Sequence, residues 1–501
     1  MYAENSFAYS ALKFCALCVK TTLLISPISP GVTSLGMRFS ALFPSVLLLC
    51  VSAGAQTPER HPARETTTAP AQLKFELIVS RHGIRPPLVE ATTLNSYASD
   101  PWPVWEVPLG HLTPHGAAAI AQMGAYLRLR LVEDGLLTPG CPAPSEIYLY
   151  SDTDERNVSS TRETFAALAP NCEHLDINTM APSTANAPDP LFQPVPKTFP
   201  APNGAPAMAA VKAALHNDPA YALSANATPE LRELAHILAP DPARPAAKPI
   251  LDQPVEVVPG TYGATAHGPL VTASNLVEDL ELEYIDARPL NEVGWGRLGS
   301  DDKAVEAALQ RLLPIHIKAF GLGLRTPLFA RAQGSNLLSH LLATLEQADV
   351  SPSAAASEPG KMGIAVRHDV PGAIGPAGTK LVYLSGHDAN LFELGGLLDL
   401  HWTADGRMDD TPPDSQLAFE LWQHPGERDY EVRIKYRAQT LEQLRAASPL
   451  TLENPPAEVE VTPTGCIAHH ACSLATFLKA ARAQVDPAYV QPALVPVQVV
   501  R

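Results

Sequence analysis

Positive charge is scarce in this 501-residue sequence: 36 Lys and Arg stand against 52 Asp and Glu, a formal net charge of −16. Residues 1–55 carry three of those cations and one of the acids, so the remainder of the chain stands at −18. A surface of that sign repels phosphate polymers and anionic lipid, which excludes nucleic acid and membrane surfaces as partners of the body of the protein. A small anion can still bind where local arginines overrule the field. Charge of either sign is sparse, at 18 %, while hydrophobic residues reach 46 %, a globular rather than a disordered balance. Beyond residue 55 no apolar run reaches the ~18 residues that a membrane helix needs. Proline, by contrast, is abundant, 50 of 501 residues, about twice the usual ~5 %, so the loops are long and stiff. At this length one core rarely suffices, which favours one large domain with a substantial insertion, or two domains.

From Met37 the chain reads MRFSALFPSVLLLCVSAGAQ, with a positive charge at Arg38, an apolar stretch from Ala41 to Ala53 and a small-residue Ala53-Gly54-Ala55 end. This predicts a signal peptide over 37–55 and a mature start at Gln56. Cys50 follows three leucines, whereas a lipoprotein signal wants a small residue there. Residues 1–36 match no targeting device and are read as an extension upstream of the true start. Loss of the leader takes Cys15, Cys18 and Cys50 with it and leaves Cys141, Cys172, Cys466 and Cys472. An even count in an exported chain suggests disulfides. Three pairings exist, of which the sequence-local one, Cys141 with Cys172 and Cys466 with Cys472, is the simplest. The loop between Cys466 and Cys472 also holds His469 and His470, ligand types for zinc, but an oxidising compartment removes the thiolates that zinc would need. Asn157 and Asn226 head Asn-x-Ser/Thr triplets, which matter only in a eukaryotic secretory route.

Along the chain, KFELIVS (74–80) and SEIYLYSDTDE (145–155) have strand character, while PHGAAAIAQMGAYLRLRLVEDG (114–135) and STRETFAALAP (160–170) have helical apolar spacing. This β-α-β-α order predicts an α/β fold, a mixed sheet with helices on both faces, over 56–191 and 294–501. From 192 to 293 the texture turns Ala/Pro-rich, with helical pieces such as NATPELRELAHILAP and VTASNLVEDLELEYI, and predicts a smaller inserted α-helical domain. Helices continue from 302 to 348, a loop spans 351–378, and KLVYLSGHDANLFELGGLLDL (380–400) gives strand, turn and helix. Two later strands are expected in QLAFELWQH and YEVRIKYRA.

Three strand-to-helix turns place chemically capable side chains just past an apolar strand, the edge where open α/β sheets bind ligands. The first, IVSRHGIRPP, offers Arg81, His82 and Arg85; the second, YLYSDTDERNVSSTR, offers Asp152, Asp154, Glu155 and Arg156; the third, VYLSGHDANL, offers His387 and Asp388, with Gly386 for a tight turn. A histidine at one strand end is ordinarily a polar loop residue, but three such turns together are harder to dismiss. Pro86 and Pro87 restrict the backbone after Arg85, and fixed arginines suit bidentate binding of phosphate oxygens. Phosphoryl transfer consists largely of neutralising equatorial oxygens and aligning nucleophile with leaving group. Three arginines and a histidine can do this without a metal or other cofactor. The flanking charges lower the pKa of His82 and keep a ring nitrogen nucleophilic at mildly acid pH. Asp388 is the natural proton donor for the leaving alkoxide, and acid pH favours such an enzyme.

RHGIRPP near the mature N-terminus with GHDANL far downstream resembles the histidine acid phosphatase branch of the histidine phosphatase superfamily. WPVWEVPLGHLTPHGA, LVEDGLL followed by GCP, DTDER, PDPLF, GWGRL, GHDANLFELGG, DDTPP and CSLATF are similar to the bacterial periplasmic phytases of that family, over roughly Leu73 to Leu478. The resemblance implies that His82 is the nucleophile forming a phosphohistidine, that Arg81, Arg85 and Arg156 bind the phosphate, that His387 hydrogen-bonds a phosphate oxygen and that Asp388 is the general acid. It places Glu278 on the substrate-facing helix of the smaller domain and implies the local cysteine pairs. It departs from phytases at Leu88 and Val89, where relatives often carry Thr and Lys for distal phosphates, and at Gln333, where some carry a basic residue. Phytate hydrolysis ranks first, with a glucose-1-phosphatase or broad acid phosphatase as the alternative. The partner expected is a small phosphomonoester, met by a periplasmic or secreted monomer.

YLYSDTDER also resembles the aspartate-nucleophile loop of haloacid-dehalogenase phosphatases, but Arg156 stands in its last place, and that family needs magnesium, so insensitivity to EDTA separates the two. A phosphoglycerate mutase shares Arg-His-Gly yet has neither leader nor distal His-Asp pair. A non-catalytic phosphate-binding protein has no need of an acid such as Asp388.

Overall fold

The apolar run after Lys74 forms strand β1 (Gln72–Arg81), buried on both faces from Phe75 onward, as a central strand covered by helices must be. In the computed structural model, which describes residues 70–182, 188–194, 204–349, 369–468 and 470–500, β1 belongs to a nine-stranded mixed sheet. The other strands are β2 (Ile147–Ser151), β3 (Ile177–Met180), β4 (Leu381–Gly386), β5 (Gln416–Gln423), β6 (Glu431–Ala438), β7 (Ala457–Val461), β8 (Cys472–Ser473) and β9 (Val497–Val500). Their order is β7-β6-β5-β1-β4-β2-β3-β9, with β8 beside the start of β6. The strands β1, β4, β2 and β3 run parallel, while β5, β6, β7 and β9 are each antiparallel to their neighbours.

The longer helices are α1 (Pro114–Glu133), α2 (Glu155–Leu168), α3 (Gly204–Ala214), α4 (Glu230–Leu238), α5 (Pro269–Ile285), α6 (Asp302–Leu324), α7 (Pro327–Asp349), α8 (Asp388–Leu398) and α9 (Leu474–Arg482). One face of the sheet, through Ile78, Leu149 and Tyr383, packs on Met123 and Leu127 of α1 and Phe165 of α2. The other, through Leu77, Val79, Leu384 and Phe419, packs on Leu338 and Leu341 of α7, Leu391 of α8 and Phe477 of α9. This is the predicted mixed sheet with helices on both faces. A third apolar cluster joins α3, α4, α5 and α6 through Val211, Leu234, Leu276, Leu280, Leu309 and Leu312. Helix α1 starts where Thr113 accepts the Gly116 N–H and Pro114 takes the first turn. It lies so close to α2 that a Cβ on Gly124 would sit 2.1 Å from the Thr164 carbonyl oxygen.

The structure shortens the predicted second strand to Ile147–Ser151 and starts α2 at Glu155, five residues before the expected helix, because Asp154 turns the chain there. Glu155 and Arg156 therefore sit in a first helical turn. The disulfides are Cys141–Cys172 and Cys466–Cys472. Asn157 is buried and donates to the Gly386 carbonyl at 2.6 Å, so its amide is inaccessible in the folded chain. The expected leader over 37–55, the extension before it, His469 and most of the 351–378 loop lie outside the described residues. Among the described residues no helix is long and apolar enough to cross a membrane.

Candidate active site

Strand register brings the three predicted turns level. Arg81 lies opposite Gly386, and Ser151 opposite Ser385, so the next residues, His82, His387 and Asp152, leave the sheet at one edge. That edge is the carboxyl end of the parallel strands. The backbone of His82 is held on both sides: its N–H donates to the Gly386 carbonyl at 3.1 Å and its carbonyl accepts from Asp414 at 3.0 Å.

The His82 ring is buried, with Nδ1 2.8 Å from the Gly83 carbonyl oxygen. A carbonyl can only accept, so Nδ1 carries the proton and the neutral ring keeps its lone pair on Nε2. Burial, then the charges of Arg156, Arg81 and Arg85, hold the imidazole well below the usual histidine value. The expectation credited Arg81 and Arg85 alone; burial is the larger cause, and Arg156 acts more strongly than either of them.

Arg81 is fixed from three directions. Its guanidinium donates to the Thr411 carbonyl at 2.5 Å, pairs with the Glu278 carboxylate and lies 2.9 Å from Asp388 Oδ2. Burial opposes its charge, but Asp388, Glu278 and Glu281 overcome that and raise its pKa. Arg85 donates to both oxygens of Glu278, at 3.1 and 3.3 Å, and to the Pro86 carbonyl at 3.2 Å. The prolines thus contribute an acceptor as well as a backbone restraint. Glu278, on α5, is buried between the two guanidinium groups, which hold it below the ordinary glutamate range although burial alone would raise it. Arg156 pairs with Asp154 at 2.6 Å, donates to Gly110 at 3.3 Å and reaches within 3.5 Å of His387 Nδ1.

His387 caps α8: its N–H donates to Asn390 Oδ1 at 2.9 Å. A Cβ on Gly386 would lie 2.5 Å from that same oxygen and 2.7 Å from the Phe192 ring, so the glycine serves close approach rather than an unusual turn angle. The ring is oriented by Asp152 Oδ2, 2.6 Å from Nε2, and stands edge-on to His82 with centroids 5.6 Å apart. Burial works against ionisation of Asp152, but hydrogen bonds from His387, Gln193 and Thr153 win and lower its pKa. Asp388, the first residue of α8, accepts from Ala389 at 2.7 Å with one oxygen and meets Arg81 with the other. Asp152, Asp154 and His387 present ligand-type atoms within 4.8 Å of one another, but Gln193 and Arg156 already hold the two carboxylates. The group orients a histidine.

His82, Arg81, Arg85, Arg156, His387, Asp388 and Glu278 are therefore gathered in one buried cluster. Gln333 is turned away, its amide spent on the Gly323 carbonyl at 2.7 Å. Leu88 is 47 % exposed and packs over Gly110, beside Arg156. Sequence reasoning missed Gln193 and the Thr411 carbonyl. The signal for the first was PDPLF: Tyr150 donates to Asp189 at 2.6 Å and Asn390 to the Phe192 carbonyl at 2.8 Å, a clasp that delivers the next residue, Gln193, to Asp152.

Residues 72–437 match the histidine phosphatase superfamily (branch 2). Phytase AppA of Escherichia coli (strain K12) is 34 % identical over 422 residues, 81 % of this chain and 91 % of that protein. A glucose-1-phosphatase of Salmonella typhimurium is 28 % identical over 432 residues, 84 % of this chain and 94 % of that one. The structure of Hafnia alvei phytase in complex with myo-inositol hexakis sulphate superposes with a TM-score of 0.71 at 30 % identity, covering 85 % of this chain and 100 % of the other. With most of the chain matched in sequence and in structure, this protein belongs to branch 2 of the histidine phosphatase superfamily.

Proposed function

We propose that the protein is an exported acid phosphatase of phytase type, hydrolysing phosphomonoesters, with myo-inositol hexakisphosphate preferred, through a phosphohistidine on Nε2 of His82. The observation that carries this reading is the tautomer of His82, with Nδ1 tied to Gly83 and protonation suppressed by burial and three arginines. In the first step Nε2 attacks phosphorus, an N–P bond forms, the ester P–O bond breaks, and the leaving oxygen takes the proton of Asp388. In the second, water attacks phosphorus, the N–P bond breaks with its electron pair returning to Nε2, and Asp388 takes back a proton as phosphate departs. Arg81, Arg85, Arg156 and His387 hold the equatorial oxygens, whose charge must be neutralised in both steps. Glu278, on the helical segment 192–293, fixes the two arginines and faces the substrate. Export is supported by the two disulfides.

The test is phosphate release at acid pH from phytate, glucose 1-phosphate and p-nitrophenyl phosphate, with and without EDTA. Phytate should show the highest kcat/KM and EDTA no effect; EDTA inactivation would argue for a metal-dependent phosphatase instead. One observation favours the second reading, a broader acid phosphatase. The segment from Pro86 to Thr113, which reaches from Arg85 to the Gly110 carbonyl and presents Leu88, contains no Lys or Arg. A tenfold or greater preference for glucose 1-phosphate or the aryl ester, about 1.4 kcal/mol of discrimination, would reverse the substrate ranking and leave the enzyme class intact. Asp388→Asn is expected to lower kcat on phytate by about 10²–10⁴-fold but far less on p-nitrophenyl phosphate, whose phenolate leaves without a proton. Equal losses on both esters would remove Asp388 from the acid role.

A further inference from the structure

Helix α5 buries four carboxylates within six residues, Glu278, Asp279, Glu281 and Glu283, and the proposed chemistry uses only the first. Glu281, one turn beyond Glu278, accepts from Arg407 at 3.1 Å. The same Arg407 nitrogen donates to Asp410 at 2.8 Å, and Asp405 lies 3.4 Å from its neighbour. Arg407 is itself buried. The Asp410 carbonyl is fixed by Trp402 Nε1 at 2.7 Å and the Tyr436 hydroxyl at 2.6 Å, and the next carbonyl, that of Thr411, receives the guanidinium of Arg81.

These contacts close a ring. Arg81 is held between Glu278 and the Thr411 carbonyl; Arg407 is held between Glu281, one helical turn from Glu278, and Asp410, one residue from Thr411. We propose that Arg407 is a positioning residue for phosphate transfer, which locks α5 to the 410–411 backbone so that Arg81 is aimed at the phosphate. The inference rests on the phosphate role given to Arg81 above. Breaking a side chain's support by an ångström is the kind of change that costs on the order of 10²-fold in rate. Burial and the charge of Asp410 push Glu281 up to about 8, against Arg407. At acid pH Glu281 is then a neutral acceptor, and the bridge holds one buried cation against Asp410 and Asp405. A neutral replacement of Glu281, Arg407 and Asp410 therefore leaves only the half-buried Asp405, which still accepts from the Leu441 N–H at 3.1 Å.

Two variants of the full chain test this. The triple variant Glu281→Leu, Arg407→Met, Asp410→Asn removes the bridge without stranding a fully buried charge; Arg407→Lys keeps the buried cation, and with it the fold, but not the rigid planar guanidinium, one nitrogen of which meets Glu281 and Asp410 while the other lies by Asp405 and the Gln439 carbonyl. The triple variant should retain a cooperative thermal transition while kcat on p-nitrophenyl phosphate falls on the order of 10²-fold and inhibition by inorganic phosphate weakens in parallel. Arg407→Lys should lie between it and the wild type in both readouts. A purely structural bridge would lower the melting temperature and leave the rate and the phosphate inhibition constant alone. The proposal is overturned if whichever of the two variants is folded keeps kcat and phosphate inhibition within about twofold of wild type. Activity lost in Arg81→Ala but kept in both Arg407 variants would sink this inference while leaving the function of the site standing.

Discussion

His82→Ala should abolish turnover, lowering kcat by more than about 10⁴-fold as expected for loss of a covalent nucleophile, while inorganic phosphate still binds. The two halves of that result separate the roles. The arginines remain in place without the ring, because Arg81 is anchored by Glu278 and Thr411 and Arg156 by Asp154 and Gly110. A phosphate-binding protein without catalysis would lose nothing in this variant, and full activity in it would end the phosphohistidine mechanism. The pH dependence carries a sign. The proposed attack needs a neutral His82, and burial together with Arg156, Arg81 and Arg85 lowers its folded pKa well below 6.5. Activity that depends on a neutral His82 is expected above that lowered pKa and should be lost only as pH falls through it, so His82 should stay neutral and able to attack at acid pH where an ordinary histidine is charged. NMR titration of the imidazole should find no transition for His82 near 6.5. A transition there, matched by loss of kcat/KM, would show that the surroundings do not suppress its charge.

The sequence discloses the sheet edge better than the ring of contacts around it. The motif-bearing strands β1, β2 and β4 are apolar runs ended by polar residues, and an open α/β sheet has one edge for such ends. That much follows from local pattern. The strands β3, β7 and β9 carried no expectation, because each is four or five residues long and sits at or near a sheet edge, with outward side chains such as Glu460 and Val499 left in water. Period-2 patterning is weak over so few residues. Helix α2 began earlier than expected for a related reason: DTDER looks like a loop, yet Asp154 takes the extended cap conformation and Glu155 and Arg156 enter the helix. Arg156 thereby gains a fixed position that a loop would not provide. Least legible were contacts between distant segments. Nothing near Arg407 announces Glu281, 126 positions away, and nothing near His387 announces Asp152, 235 positions away. Glu278 emerged only through family resemblance, since an acidic helix position otherwise suggests solvent.

The largest stability effect should come from Arg437→Met, at a site remote from the motifs. Arg437 is buried in the sheet on β6 and donates to Glu76 at 2.7 Å, Glu420 at 2.8 Å and Glu458 at 2.6 Å, while Lys435 lies 3.3 Å from Glu420 and 3.1 Å from Glu458. Three carboxylates on three strands thus share one guanidinium. Removing it strands Glu76 inside the sheet and leaves Glu420 only Lys435 and the Trp422 N–H, a change that typically costs about 3–5 kcal/mol. The loss should depend on pH. Burial and the charge of Glu420 already push the Glu76 carboxyl up against the pull of Arg437, and without the arginine it rises further. A raised carboxyl destabilises the fold above its unfolded pKa and does no harm below it, where both states are protonated. Glu458 behaves oppositely: although burial works against it, Arg437 and Lys435 lower it to about 2 from an ordinary 4.5, so its contribution is present above the unfolded value and is lost as pH falls toward 2. Both terms make the gap between wild type and Arg437→Met widest near neutral pH and narrower on acidification. Urea unfolding at pH 7 and pH 4 measures that gap directly. A loss below about 1 kcal/mol at pH 7 would place this pair network among the weak surface type, and a gap that grew toward acid pH would reverse the assigned charge states. Adding Glu76→Leu and Glu420→Leu to Arg437→Met should recover much of the loss, because apolar groups of similar size replace buried ions at little cost. The network is thus expected to hold register among β1, β5, β6 and β7, and through β1 to fix where His82 leaves the sheet.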